Sequence, residues 1–141
     1  MANIIPHSFR GELFSGTHDF SNGGNSFKIA LYTSNPYSTS STVYLTTNEV
    51  SASNTGYTTG GKVLASQAVA SGTAVASVDF ADSVLSNATF TAAFAAIYND
   101  TNGDKLCVVL DFGGNKTATN GTFTISFPNP STPANAIISM A

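Results

Sequence analysis

The chain of 141 residues is 42% apolar and only 9% charged, and its net charge is −3. This length can bury the core of one domain, and the apolar content excludes disorder by composition. Ordinary domains carry roughly 25% charged residues, and the five cations here are scattered, so we expect no nucleic-acid partner. Ser, Thr and Asn take the place of charge and favour strands and turns over helices.

Residues 1–26 form an N-terminal segment with one short helix and a loop. Pro6 suits a first helical turn, and apolar residues recur at a spacing of four, at Ile5, Phe9 and Leu13. The pattern predicts a helix over 6–15 and a loop over 17–26.

The sequence contains no signal for export or membrane insertion. The N-terminus lacks a cationic stretch followed by an uninterrupted apolar run, so we expect no signal peptide. No apolar run reaches the roughly 18–20 residues of a membrane-spanning helix, so we expect no membrane contact.

From residue 27 onward, strand patterns alternate with turn residues. Residues 27–33 alternate as a half-buried strand does, with Phe27, Ile29 and Leu31 on the inner face. In 73–81 the pattern places Ala74, Ala76, Val78 and Phe80 inside and Thr73, Ser77 and Asp79 outside. Turn residues dominate 46–60 and 113–121. Strands are predicted at 27–33, 42–45, 61–70, 73–81, 92–99, 104–112, 122–127 and 136–140.

The strongest local signal is a hairpin over residues 92–112. Asn102–Gly103 is the preferred dipeptide of a two-residue hairpin turn. Both faces of 104–112 are apolar, which predicts a central strand that is covered on both sides. The whole chain is then a mainly β, single domain over residues 1–141, an antiparallel β-sandwich or jelly roll of about eight strands with one short N-terminal helix.

Two loop motifs resemble ligand sites in spacing only. Gly56, Gly61 and Lys62 have the spacing of a phosphate-binding loop, but Val63 stands where Ser or Thr would hold magnesium and a strand pattern follows. The loop 99–104 alternates oxygen side chains as calcium loops do, but it lacks the distal glutamate and the flanking helices. We interpret the first as a glycine turn and the second as a hairpin turn.

The sequence nominates no catalytic, cofactor-binding or metal-binding residue, so we expect a protein that is not an enzyme. His7 and His18 are the only histidines, and no nucleophile elbow accompanies them. Cys107 is the only cysteine and lies inside a strand pattern, which is typical of a small buried hydrophobe. Two histidines and no cysteine cluster argue against a structural zinc site.

The order of motifs along nearly the whole chain resembles small virion structural proteins of tailed bacteriophages, common in phages of marine and cyanobacterial hosts. The motifs lie at 8–20, 27–34, 46–50, 56–61, 98–105 and 109–128. The resemblance implies a capsid decoration or cement protein that is made in the host cytoplasm and located in the virion. Its partners would be the major capsid protein and other copies of itself, as a homo-oligomer such as a trimer.

The N-terminal segment is the predicted partner interface. Ile4, Ile5, Phe9 and Phe14 give a short helix more apolar surface than it needs by itself. The alternative is that this segment covers the open end of its own sandwich.

Two other functions stay open at this point. One is a tail, neck or fibre-associated virion β module, which differs from a decoration protein in copy number and position. The other is a carbohydrate-binding β-sandwich, for which Tyr37, Tyr44 and Tyr57 would be the stacking platforms.

Overall fold

The computed structural model describes residues 3–128 and 136–140. This part is mainly β, and its paired strands are all antiparallel, as the sequence predicts. It contains one helix and seven strands, one fewer than expected. These are α1 (His7–Phe14), β1 (Phe27–Tyr32), β2 (Lys62–Val63), β3 (Ala68–Ser71), β4 (Ala76–Asp79), β5 (Ser83–Asn99), β6 (Lys105–Ile125) and β7 (Ile138–Met140).

The predicted hairpin forms, and it is about twice as long as the sequence pattern indicates. β5 and β6 pair from Asn99–Lys105 beside the turn to Ser83–Ile125 at the far end. The turn predicted at 113–121 and the separate strand at 122–127 are therefore wrong. The glycines Gly113 and Gly114 have positive φ angles, and the extra residues are absorbed as register shifts within the hairpin.

The first sheet has the order β2-β1-β5-β6, so β1 lies in its interior. The half-buried character expected for β1 is wrong, because Ala30 and Tyr32 on its second face are as buried as Phe27 and Ile29. The loop residues Tyr37, Tyr44 and Leu45 pack against that second face.

β6 is an edge strand and not the predicted central one. Its residues Leu106 to Leu110 are nevertheless buried on both faces, as expected. Other parts of the chain cover the free edge: Ile4 and Val109 exchange two backbone hydrogen bonds of 2.9 and 2.8 Å, and Leu106 donates to the Thr42 carbonyl. The strand predicted at 42–45 reduces to a single bridge between Val43 and Lys105. Covering an edge in this way blocks pairing with other chains.

The second sheet has the order β3-β4-β7, and it corrects two predictions. The strand expected over 61–70 is broken at Ser66, whose φ is 55°, so β2 and β3 belong to different sheets. In 73–81, Ala74 is exposed and Ser77 is buried, the reverse of the expectation. Ser77 is 2% exposed and lines, together with His18 and Phe20, a cavity between the second sheet and the N-terminal segment.

One hydrophobic core joins the two sheets and the N-terminal segment. Val78 and Ile138 of the second sheet belong to the same buried cluster as Phe9 and Phe27. The rings of Phe20 and Phe27 stack at a centroid distance of 4.3 Å. The loop predicted at 17–26 is therefore anchored in the core by an aromatic side chain.

Candidate interaction surface

The four residues of the predicted partner interface separate into an inner group and one exposed residue. Ile4 packs against the cluster that contains Tyr32 and Val109. Ile5 packs on the main core, and Phe9 is 1% exposed within it. Phe14 is 93% exposed. Ile4, Ile5 and Phe9 therefore cover the chain's own core, which was the alternative to a partner interface. Only Phe14 is fully available to another chain.

The helix geometry explains why Phe14 points to solvent. Phe9 and Leu13 face the core at the spacing of four that the sequence shows, and Phe14 lies next to that stripe. Phe14 is also the last residue of α1. The chain then reverses at Gly16, whose φ is 73°.

An apolar surface surrounds Phe14, formed by α1, β3 and β7. Besides Phe14 it includes Leu13, Val69 (52% exposed) and Met140 (57% exposed). Beside Phe14 it opens into a cavity of about 270 Å³. The cavity wall is mainly apolar, from Leu13, Phe20, Val69, Ala76, Val78, Ile138 and Met140. Exposed apolar side chains that adjoin in this way are typical of an interaction site.

Two charges of opposite sign border this apolar surface. Arg10 borders the side next to Phe14, and Asp19 borders the cavity. Hydrogen bonds from the Ser21 hydroxyl (2.6 Å) and the Ser21 backbone N–H (2.9 Å) lower the pKa of Asp19, so this group is a carboxylate at neutral pH. Within residues 3–128 and 136–140, neither charge takes part in an ion pair.

A buried polar network lies beneath α1 and is centred on His18. Its Nδ1 atom is 3.0 Å from Asn99 Nδ2, and its Nε2 atom is 2.8 Å from Glu12 Oε2. Asn99 Oδ1 accepts from the backbone N–H groups of Thr101 and Asn102, which fixes the amide orientation. Nδ1 must then accept, and Nε2–H donates to Glu12. The network ties the helix to the β5–β6 turn.

Cys107, His18 and Glu12 follow one another as in a nucleophile–base–acid arrangement, with Cys107 Sγ 3.8 Å from His18 Nδ1. Cys107 is 0% exposed, and burial raises the pKa of its thiol well above the ordinary value. A buried, protonated thiol is not a nucleophile, so we assign these residues a structural role. Sequence reasoning missed the contact because 89 positions separate Cys107 from His18.

Two further sets of polar contacts hold the loops over 33–61, and together they use all five tyrosines. Glu49 Oε2 accepts the hydroxyl of Tyr44 at 2.6 Å. Glu49 Oε1 accepts the hydroxyl of Tyr57 at 2.6 Å and the N–H of Gly60 at 2.8 Å. Tyr98 donates to the Gly60 carbonyl and stacks on Tyr44. The remaining two tyrosines, Tyr32 and Tyr37, form a hydrogen bond between their hydroxyl groups, with 2.6 Å between the two oxygen atoms.

The three tyrosines of the carbohydrate hypothesis, Tyr37, Tyr44 and Tyr57, all take part in internal contacts. Tyr37 and Tyr57 are buried, and Tyr44 stacks internally on Tyr98. Burial removes the rings of Tyr37 and Tyr57 from sugar stacking, whereas Tyr44 has one face on Tyr98 and stays partly exposed.

The two ligand-like loop motifs are occupied by structural contacts. Gly56 and Gly61 have positive φ angles, and the Lys62 ammonium group donates to the Val84 carbonyl. Asp100 pairs with Lys28 at 3.0 Å, whereas Asn102 donates to the Thr17 carbonyl. Within the described residues, no three His, Cys, Asp or Glu side chains are placed to hold a metal ion.

Comparison of the chain with protein families, curated proteins and solved structures found no match. Within residues 3–128 and 136–140, no helix has the length and apolar content to cross a membrane.

Proposed function

We propose that the chain is a non-enzymatic structural protein of a bacteriophage virion, a decoration or cement protein that binds the assembled head lattice and stabilises it. The observation that carries this proposal is the use of the polar side chains. Glu49 and the five tyrosines hold the long loops, and His18, Glu12 and Asn99 hold the helix. These polar groups therefore hold the fold together, and the surface that they hold in place carries few charges.

That neutral surface suits repeated contact with a lattice. The loop residues Ser38, Ser40, Thr46 and Thr47 are exposed, while the tyrosines beneath them are held. A pre-ordered surface loses little conformational entropy when it binds. Identical uncharged faces can also lie near one another without the repulsion that like charges produce.

The proposed fold is an antiparallel sandwich in which the two sheets are the layers. The support is the main core, in which Val78 and Ile138 of the second sheet pack with Phe27 and Ile29 of the first. Such a domain can hold its loops in position with little motion. A rigid module of this kind fits either a head or a tail, neck or fibre location.

Cementing follows from preferential binding. A protein that binds assembled subunits more tightly than free ones shifts the equilibrium toward assembly. Many copies on one lattice act together, because each bound copy raises the effective concentration of its neighbours' contacts. The partners in this proposal are the major capsid protein and other copies of the same chain.

The test is an add-back experiment on heads of the encoding phage that were assembled without this chain. We expect the purified chain to cosediment with these heads at a saturable, stoichiometric level and to raise their melting temperature. A Glu49→Gln variant, in which the loops are loosened, should bind more weakly. Heads that take up no chain, or take it up without gaining stability, would contradict the cement role.

A further inference from the structure

The apolar surface around Phe14 carries both halves of a self-complementary contact. Phe14 projects into solvent, and the cavity of about 270 Å³ opens beside it. Leu13 and Met140 border both features, whereas Phe14 does not line the cavity of its own chain. Cavities of about 150 Å³ with apolar walls bind benzene. The larger cavity here therefore has room for a phenylalanine ring from another molecule.

The charges that border the surface are arranged for the same contact. Arg10 lies on the Phe14 side and Asp19 on the cavity side, and neither has an ion pair within the described residues. In a two-fold contact that sets the Phe14 side of one copy on the cavity side of the other, each Arg10 would face an Asp19. The pairing occurs twice in a two-fold arrangement, which gives charge complementarity without any other partner.

We propose that this apolar surface is a homodimer interface in which Phe14 of each copy enters the cavity of the other. An isologous contact uses one patch on both subunits, and the adjacent ring and cavity meet that requirement. β7 borders the surface and, among the described strands, pairs only with β4. Within residues 3–128 and 136–140 the other edge of β7 has no strand partner, so a second copy would also lie against this edge. The interface does not depend on the virion function proposed above.

Sedimentation velocity of the full chain over a concentration series tests the proposal. We expect a reversible monomer–dimer equilibrium. Phe14→Ser should raise the dissociation constant about tenfold or more, because a buried aromatic anchor is a typical hot spot. Val63→Ser is the matched control, since Val63 is 54% exposed on β2, outside this surface. Both side chains are exposed in the single chain, so below the dissociation constant of the wild-type dimer both variants should keep the wild-type melting temperature.

The charged pair gives a second, independent test. Arg10→Glu should weaken the dimer, and adding Asp19→Lys in the same chain should restore part of the lost affinity. Asp19 also accepts hydrogen bonds from Ser21, so thermal melting must first show that the variants are folded. Failure of the double variant to exceed Arg10→Glu alone in affinity would contradict the proposed pairing of Arg10 with Asp19.

Three outcomes would overturn the homodimer. In the first, the wild-type chain stays monomeric up to roughly 100 μM. In the second, the wild-type chain forms an oligomer that Phe14→Ser leaves unchanged. In the third, the wild-type chain is a monomer and Phe14→Ser abolishes its uptake by phage heads. The last outcome would assign the surface to a capsid protein instead. Dimerisation in solution together with absence from virions would contradict the proposed function and leave the homodimer intact.

Discussion

The hydroxyl group of Tyr57 donates to Oε1 of Glu49 across 2.6 Å and accepts the backbone N–H of Leu31 at 3.0 Å. A single oxygen atom thus links an interior strand of the first sheet to the carboxylate that organises the loops. The link explains how a chain with few charges holds long Ser- and Thr-rich loops in one conformation.

Replacing Glu49 should destabilise the fold. Glu49→Ala leaves the hydroxyls of Tyr44 and Tyr57 and the N–H of Gly60 without their acceptor, so we expect the free energy of unfolding to fall by roughly 2–4 kcal/mol. Urea denaturation measures this change. Thr47→Ala, in the same loop but exposed, should lie within about 0.5 kcal/mol of wild type. Equal stability of the two variants would show that the network contributes nothing.

Stability should fall on the alkaline side. Burial and the hydrogen bonds to Glu49 raise the pKa of Tyr44 and Tyr57 above the ordinary value of 10.0. Above pH 10 the unfolded chain loses these protons while the folded chain keeps them, so the free energy of unfolding decreases as pH rises. Thermal melting against pH, followed together with tyrosinate absorbance, should show tyrosine ionisation coupled to unfolding. In Tyr57→Phe the alkaline loss should be smaller, and tyrosine titration near pH 10 in the folded state would refute the account.

Two glycines should respond to alanine in opposite directions. A Cβ atom on Gly61 would lie 2.0 Å from the Ile29 carbonyl oxygen, and its φ is 81°. Gly61→Ala should therefore lower the free energy of unfolding by about 3 kcal/mol or more. Gly11 is helical with open space around its Cβ position, so Gly11→Ala should stabilise by about 1 kcal/mol. Chemical denaturation of both variants measures these changes in the free energy of unfolding. A Gly61→Ala variant as stable as wild type would argue against the packing of the 56–61 loop on β1.

Cys107 should be inert in the folded protein. Burial keeps its thiol protonated and out of contact with solvent, so a thiol-specific reagent should label it only as fast as the chain unfolds. Labelling rates measured with and without urea test this. Rapid labelling of the native chain, at the rate of a free thiol, would instead reopen a chemical role for Cys107 and His18.

Local patterns predicted the elements that depend on neighbouring residues. The helix α1, strand β1 and the hairpin follow from spacing and turn chemistry, although the hairpin connection spans 100–104 with positive φ at Gly103 and Asp104 and is not a two-residue turn. The inward position of Ser77 could not be predicted, because it depends on a cavity wall supplied by distant segments. The path of β6 through Gly113 was missed for a related reason, since the same glycine can serve a turn or a bulge and only pairing with β5 decides.

The candidate surface was predictable only in part. Phe14 was nominated with Ile4, Ile5 and Phe9 because the short helix has surplus apolar surface, and only the structure separates it from the other three. Its neighbour Met140 comes from the other end of the chain, and no sequence spacing connects the two. The same holds for the contact between His18 and Asn99, which are 81 positions apart.

The copy number of this chain in purified virions, relative to the major capsid protein, tests the central claim most directly. Quantitative mass spectrometry with labelled reference peptides gives the ratio. A lattice-decorating protein should be present at a ratio near one or at a simple fraction of it. A few copies per particle would move the protein to the tail, neck or fibres, and its absence from the particle would contradict a virion role altogether.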